Sequence, residues 1–471
     1  MWSLNQVALH NKPTDCWVII KNHVYDVTDF LQEHPGGSKI ILKYAGGDAT
    51  SAYEPIHPPD ALEKNLPLSK HLGPLSASAA RVVAHDQEIR QKTKDELRVD
   101  QSLLQRPPLI RILSLADMEE VARKVLSIKA EAFYSSAADD HITVTENARA
   151  FSRFFFHPRS SIPVFVSASS MAKLGHPLGE VNISKGAATT GIIQMVSSSA
   201  SMSYAEIIQA APPSQPLFFQ LYKNRVDAVA EKRVREIERL GYKAIFLTVD
   251  AVVLGNREKD VKSPWFTWMV REKRTVATVL GTTAALIAND DRDLAWEKTL
   301  EWLRSVTNLP LVIKGILLFV VSCTVLTVVF RDSDAVLAAE AGVDGILLSN
   351  HGGRQLEYSL PPMEVLYRLR KQRPDVFDKV EVYIDGGIKR GTDVLKALCL
   401  GATAVGLGRP FLYAQSASPE AYGEAGVVKI VQILEREIVT GMRGLGAASV
   451  KDLKPEMVER VDWEPLPPAK L

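Results

Sequence analysis

The sequence predicts two folded units in series: a small α+β domain, then an α/β barrel of the TIM, (β/α)8, type. Three observations carry that expectation. Beyond about residue 110, eight short apolar runs alternate with amphipathic helical stretches, the signature of β-then-α units closing into a barrel. No Gly-x-Gly-x-x-Gly opens a helix after the first of these runs, so an open dinucleotide-binding sheet is not supported. Before residue 75 the pattern is different, with two short strands, a tight turn and two His-bearing turns.

The first unit spans residues 1–75. Cys16-Trp17-Val18-Ile19-Ile20 and His23-Val24-Tyr25-Asp26-Val27 read as strands joined by Lys21-Asn22. His34-Pro35-Gly36-Gly37 follows, then a helical stretch over 38–44. His57 stands in a separate turn, Glu54-Pro55-Ile56-His57-Pro58-Pro59. Two such His could bind one haem iron from opposite faces, the Gly pair letting the backbone pass close to the macrocycle; a pair of surface His is the plainer alternative. Residues 76–105 are rich in Ala, Ser and charge and read as a hinge or a loosely packed helix.

The barrel unit is expected over 106–455, with a tail over 456–471. A helical lead-in covers 114–138. The strand candidates are 164–169, 192–197, 217–222, 244–250, 311–315, 345–351, 381–387 and 404–409, with helices such as 228–240 and 391–400 between them.

Barrel chemistry sits at the C-terminal ends of strands. Those ends supply Ser169, Ser197, Gln220, Tyr222, Thr248, Asp250, Lys314, His351, Asp385 and Arg409. The most informative is Ser349-Asn350-His351-Gly352-Gly353-Arg354-Gln355. His351 offers a base that titrates near neutrality, and Arg354 a planar fork for a carboxylate. Of the ten His in the chain, only His351 lies beyond His176. Asp385-Gly386-Gly387 and Gly406-Leu407-Gly408-Arg409 supply backbone amides and a cation where barrels commonly hold a phosphate.

With these motifs in place, the first unit resembles the cytochrome b5 family, on Trp17-Val18-Ile19, Tyr25-Asp26-Val27-Thr28-Asp29-Phe30, His34-Pro35-Gly36-Gly37 and His57. The barrel resembles the FMN-dependent α-hydroxy acid oxidases and dehydrogenases. It does so on residues 349–355, Leu247-Thr248-Val249-Asp250, Leu254-Gly255-Asn256-Arg257-Glu258, Phe219-Gln220-Leu221-Tyr222 and Asp385-Gly386-Gly387. Together they are similar to the flavocytochrome b2 family over nearly the whole chain.

The resemblance implies FMN and haem b as cofactors, with His34 and His57 as axial iron ligands. It implies oxidation of an L-2-hydroxy acid such as L-lactate, with electrons leaving through the haem to a one-electron acceptor such as cytochrome c. His351 would take a proton, with Asp250 pairing to it. Arg354 and Arg257 would hold the carboxylate, and Tyr222 would hydrogen-bond the substrate. Lys314 would stabilise charge on the reduced flavin. Ala168, Ser169, Ser197, Gln220 and Thr248 would contact the flavin, and Asp385, Gly386, Gly387, Lys389, Gly408 and Arg409 its ribityl phosphate end. A homotetramer is the family tendency. The alternatives are an oxidase that uses oxygen, and a haem- and FMN-binding protein without turnover.

Four departures stand out. Phe133 replaces a family Tyr that binds the substrate carboxylate, and Lys389 replaces a phosphate-gripping Arg. A segment present in the family is missing after Arg159. Ile316-to-Phe330 is an uncharged apolar insertion, too short for the roughly 20 residues of a spanning helix. A lost exon piece and a retained intron piece would account for the last two.

Composition limits the rest. At 471 residues with 46% hydrophobic content and net charge +1, the chain has no basic excess for nucleic acid and no membrane-spanning stretch. Three scattered Cys make neither a disulfide framework nor a zinc site. The first twenty residues lack signal and transit patterns, and Ala469-Lys470-Leu471 approaches a peroxisomal address, so a cytoplasmic or peroxisomal location is expected.

Overall fold

The computed structural model describes residues 1–34, 37–58, 60–156, 163–251, 255–261, 290–292, 294–316, 334–416 and 422–461. The shortened passage after Arg159, nearly all of the 316–330 insertion and the C-terminal tripeptide lie outside these residues.

The first unit is a four-stranded antiparallel sheet in the order β1 (Asn11–Lys12), β2 (Asp15–Ile20), β3 (His23–Asp26) and β4 (His71–Pro74). The β2–β3 turn is Lys21-Asn22, both left-handed at φ 49° and 62°, which matches the twist of the flanking strands. Alternation along β2 splits its side chains between two small cores. Cys16, Val18 and Ile20 join Val27, Leu31, Ala49 and Leu66. Ile19 joins Val7, Val24, Leu75 and Val83 on the other side.

The expected hinge over 76–105 folds as two helices, Ala77–Ile89 and Lys94–Leu104. Ser76 and Thr93 cap them, each accepting a backbone N–H three residues on. Of the two expectations for this stretch, hinge or helix, the structure shows helix, started by local capping.

The barrel closes in the order expected. Its strands are β6 (Val164–Val166), β7 (Ile193–Ser197), β8 (Leu217–Leu221), β9 (Ala244–Thr248), β10 (Leu311–Ile316), β11 (Gly345–Leu348), β12 (Glu381–Asp385) and β13 (Ala404–Leu407), each parallel to the next, with β13 pairing to β6. The preceding β5 (Phe154–Phe156) pairs instead with the last strand, β14 (Val458–Arg460), so the residues just past 455 belong to the folded unit. Six of the expected strands overrun at their C-terminal ends, where the chain turns to present side chains at the barrel mouth. β10 runs one residue longer than expected.

Register then fixes which residues face inward. Phe165, Met195, Phe246, Val312 and Leu347 share one interior cluster, with Phe218, Tyr383 and Ala404 packed against it. Ile245, Leu247, Ile313, Ile346, Ile384 and Val405 point outward into the helix-facing core. Because strand side chains alternate, the next inward layer lies two residues further along each strand. That layer is Ser167, Ser197, Gln220, Thr248, Lys314, Ser349, Asp385 and Gly406. Every member is polar or Gly, and the seven with side chains are all buried. The barrel therefore changes from a hydrocarbon plug to a polar floor within one layer.

Candidate active site

Above that floor lies a cavity of about 850 Å³. Ligand sites run to about 300–1,000 Å³, so the cavity suits a cofactor-sized molecule with a small substrate beside it. Its lining includes Ala168, Ser169, Ser197, Gln220, Tyr222, Arg257, Lys314, His351, Arg354, Asp385, Gly386, Gly387, Lys389, Gly408 and Arg409. Thr248 and Asp250 stand one step behind, bonded to Gln220 and His351 respectively.

His351 follows the end of β11 in a left-handed conformation (φ 57°), and Gly352 and Gly353 continue it at 65° and 76°. A non-glycine residue there is strained, and strain of this kind concentrates at functional sites. Two neighbours hold it: Ser349 Oγ accepts from the His351 N–H (3.1 Å), and Asn350 Oδ1 accepts from the Gly353 N–H (3.0 Å). Asn350 is itself locked to Asn147 by reciprocal amide bonds of 2.6 and 2.7 Å, with both side chains buried.

Asp250 joins His351 and Lys314. Its carboxylate lies 3.1 Å from His351 Nδ1 and 3.2 Å from Lys314 Nζ. Lys314 also reaches Ser349 Oγ at 3.2 Å. Burial alone would push the Asp250 carboxyl up, but the Lys314 and His351 charges together hold it down at about 2. Burial lowers the His351 pKa, Lys314 lowers it further, and Asp250 opposes both. With Nδ1 committed to Asp250, Nε2 is left for chemistry, and it faces the Tyr222 hydroxyl at 3.4 Å. Burial, then Asp250, raises the Tyr222 pKa, so the phenol stays protonated.

Gly315 makes the Lys314 geometry possible. The β10 register shifts between Lys314 and Ile316, and Gly315 sits at φ 110°. A Cβ there would lie 2.6 Å from Asp250 Cβ. Lys314 is thus in place on the barrel floor directly ahead of the apolar insertion.

Arg354 is aimed by two backbone carbonyls, donating to Tyr134 O and Phe133 O at 3.0 Å each. Burial and the nearby Arg257 and Arg409 charges hold its pKa well down, an environment that calls for an anion. Arg257 Nε donates to Arg354 O (3.0 Å). Phe133 is buried, its ring 5.3 Å from the Arg354 guanidinium carbon.

At the far end of the cavity, Ser167 Oγ donates to Asp385 Oδ2 (3.0 Å), while Asp385 Oδ1 is buried without a partner among the described residues. An orphaned buried carboxylate oxygen facing a cavity is a ready acceptor for a ligand hydroxyl. Arg409 donates to Gly352 O at 2.6 Å, across the end where Gly387, Lys389 and Gly408 converge. Ser197, Gln220 and Thr248 form a relay, Ser197 Oγ to Gln220 Oε1 (2.9 Å) and Gln220 Nε2 to Thr248 Oγ1 (2.8 Å). The orphan oxygen, the polar relay and the cationic end fit a flavin mononucleotide.

In the first unit, the His34 and His57 ring centres lie 5.9 Å apart. That gap admits one metal bonded to both rings at the roughly 2 Å of a metal–imidazole bond. Each Nδ1 rests on a backbone carbonyl, His34 on Gly37 (3.3 Å) and His57 on Tyr53 (3.0 Å), which leaves the two Nε2 atoms as ligands. Burial lowers both pKa values, His57 to about 4, so both rings are neutral at pH 7. The pair fits a bis-histidine haem. Pro35 and Gly36 lie outside the described residues.

The structure brings the expected barrel residues to one cavity and the two His to one crevice. Reading the sequence missed roles for Ser167, Ser349, Asn350, Asn147 and Glu180. Ser167, Ser349 and Asn350 lie within stretches that drew notice. Asn147 carries no local signal. Glu180 is fully buried and accepts from Ala172 N, Ser201 N and Oγ, and Met202 N at 2.9–3.1 Å, tying the loop after β6 to the loop after β7.

A cavity built for flavin on a barrel, with a bis-histidine crevice ahead of it in the same chain, defines a flavohaem protein. The comparisons agree. Residues 159–460 match the FMN-dependent dehydrogenase family, and residues 3–77 match the cytochrome b5-like heme/steroid binding domain. The L-lactate dehydrogenase (cytochrome) of Wickerhamomyces anomalus is 43% identical over 476 residues, covering 96% of this chain and 79% of that protein. The Saccharomyces cerevisiae enzyme of the same name is 42% identical over 484 residues, with the same coverage. Glycolate oxidase of Spinacia oleracea is 33% identical, covering 75% of this chain and 97% of its own. Among solved structures, a flavocytochrome b2 double mutant with pyruvate bound superposes with TM-score 0.67 at 39% identity, covering 80% of this chain and 95% of that one. The chain belongs to the FMN-dependent dehydrogenase family, carries a cytochrome b5-like domain in front, and has FMN and haem b as its cofactors.

Proposed function

We propose that this protein oxidises a short L-2-hydroxy acid, L-lactate foremost, to the 2-keto acid, and passes the electrons to a one-electron acceptor such as cytochrome c. The observation that carries the reading is the His351–Asp250 pair opening onto the same cavity as Arg354, Arg257 and Tyr222.

Arg354 and Arg257 receive the substrate carboxylate, the forked guanidinium of Arg354 matching its two oxygens. Tyr222 hydrogen-bonds the substrate beside His351 Nε2. His351 accepts the hydroxyl proton at Nε2, and Asp250 stabilises the imidazolium that forms. Lys314 stands on the floor as the fixed cation against which negative charge develops. FMN, when bound, supplies the acceptor for the electron pair of the substrate Cα–H bond. Haem b, which His34 and His57 would hold, would supply one-electron carriage. Ser197 and Gln220, the latter backed by Thr248, would hold the flavin ring, with Ala168 and Ser169 beside it. Asp385, Gly386, Gly387, Lys389, Gly408 and Arg409 would hold the ribityl phosphate. A homotetramer is the assembly proposed, and light scattering of the purified protein checks it.

The test is product stoichiometry. Loaded enzyme given L-lactate and ferricytochrome c should form one keto acid for every two cytochromes reduced, with little peroxide in air. Peroxide formed in step with keto acid, and cytochrome c left oxidised, would make it an oxidase. No keto acid from any short 2-hydroxy acid would leave only a binding protein.

A further inference from the structure

The haem unit meets the barrel through a charged side chain whose partners bear on the flavin cavity. Lys64, on the helix Ala61–Asn65, places Nζ 2.9 Å from Glu236 Oε1 on the helix Asp227–Leu240, and 2.9 Å from Asp60 Oδ2 of its own unit. The same ammonium lies 5.7 Å from the centre of the Tyr204 ring. Tyr204 donates its hydroxyl to Ser198 O at 2.8 Å, and Ser198 Oγ accepts from the Tyr222 N–H at 3.1 Å. The Tyr204 part of the contact is therefore tied to the loop after β7, whose Ser199 lines the cavity beside Ser197 at the end of that strand.

A further observation places the haem crevice at this junction: Ile56, next to His57, packs against the main barrel core.

We propose that Lys64 is a positioning residue for electron transfer: by pairing with Glu236 and seating on Tyr204, it docks the haem unit on the loops that line the flavin cavity. This rests on reading the chain as a flavohaem dehydrogenase. The physical basis is the mobility of such junctions. Interfaces between domains of one chain are commonly mobile, so docked and undocked forms compete. Lys64 and Glu236 are 39% and 22% exposed, so their pair is screened by salt and worth only a few-fold in population. A few-fold in docked population is a few-fold in the rate at which the haem receives electrons.

The experiment uses the full chain loaded with FMN and haem. Flavin bleaching and haem reduction by L-lactate are followed separately by anaerobic stopped flow, in Lys64→Arg, Lys64→Glu, Glu236→Lys and the Lys64→Glu/Glu236→Lys swap. Lys64→Glu should slow haem reduction about five-fold, from losing an exposed pair and gaining a like-charge one, with flavin bleaching unchanged. Lys64→Arg should keep the rate, and the swap should recover most of it. Raising the salt should slow haem reduction in the native chain and not in Lys64→Glu. Small-angle scattering should show Lys64→Glu more extended than the native chain, and the swap compact again. Haem reduction unaffected by Lys64→Glu, a swap that fails to restore it, or equal radii throughout would overturn the docking role. A native chain whose flavin does not bleach would overturn the functional reading instead, and scattering alone would then decide the docking contact.

Discussion

Replacing Asp250 by Asn removes one negative charge from between Lys314 and His351 and leaves the shape almost unchanged. Held at about 2 against an ordinary 3.8, the carboxylate is favoured in its charged form by on the order of 2 kcal/mol. Burial opposes that preference, and Lys314 and then His351 create it. Were all of it spent on the imidazolium, losing it would slow proton abstraction about 30-fold. Because Lys314 takes the larger share, a fall of about ten-fold in flavin reduction is expected. The Asn amide oxygen can still accept from Nδ1, so the ring should keep its orientation.

The pH profile gives an independent sign. His351 must be neutral to act, so activity rises with pH through its pKa. Asp250 raises that pKa against burial and Lys314, so in the Asn variant the acid limb should move to lower pH. Stability has its own window. A depressed carboxyl contributes stability above its unfolded value of 3.8 and loses it as pH falls through about 2. The assay is anaerobic stopped-flow flavin bleaching by L-lactate between pH 5 and 9. A rate within two-fold of native, or an acid limb displaced upward, would refute the reasoning.

Four other changes test the remaining parts. Arg354→Lys keeps the charge and loses the fork aimed by Tyr134 O and Phe133 O; kcat/KM for L-lactate should fall about 100-fold with the flavin spectrum unchanged, as expected for losing charge-assisted hydrogen bonds of about 1.5–3 kcal/mol. Phe133→Tyr places a phenol at the cavity wall beside Arg354 and should lower KM about five-fold, the value of one hydrogen bond of about 1 kcal/mol. His57→Ala should abolish the b-type haem spectrum while flavin bleaching by L-lactate persists, because the two sites belong to separate cores. Gly387→Ala puts a methyl 2.4 Å from Asn147 O at a φ of 91°, so thermal unfolding should show a loss of about 2–4 kcal/mol together with weakened FMN retention.

The barrel was legible because its strands are short, apolar and evenly interrupted, and because both faces are buried. Its strand ends were less so. The expected runs included the first residues of the mouth loops, such as His351 and Asp385-Gly386-Gly387, since periodicity cannot show where pairing stops. Residue types at those ends pointed to the chemistry, yet the geometry joins Asp250 to His351 across 101 positions in sequence, which spacing alone does not reveal. The supporting partners were the hardest to see. Asn147 clamps Asn350 across 203 positions, and Glu180 gathers backbone N–H groups from two loops. An Asn or Glu in a helical stretch ordinarily reads as solvated surface. Over 76–105 composition left hinge and helix both open, and the caps Ser76 and Thr93 mark it as helix.

The most direct test of the account is an anaerobic absorption spectrum of the FMN- and haem-loaded protein before and after adding L-lactate. The account predicts that the flavin bleaches through the His351–Asp250 site and that reduced b-type haem bands grow at its expense. A flavin left oxidised by L-lactate and by other short 2-hydroxy acids, in protein whose haem dithionite reduces normally, would contradict it.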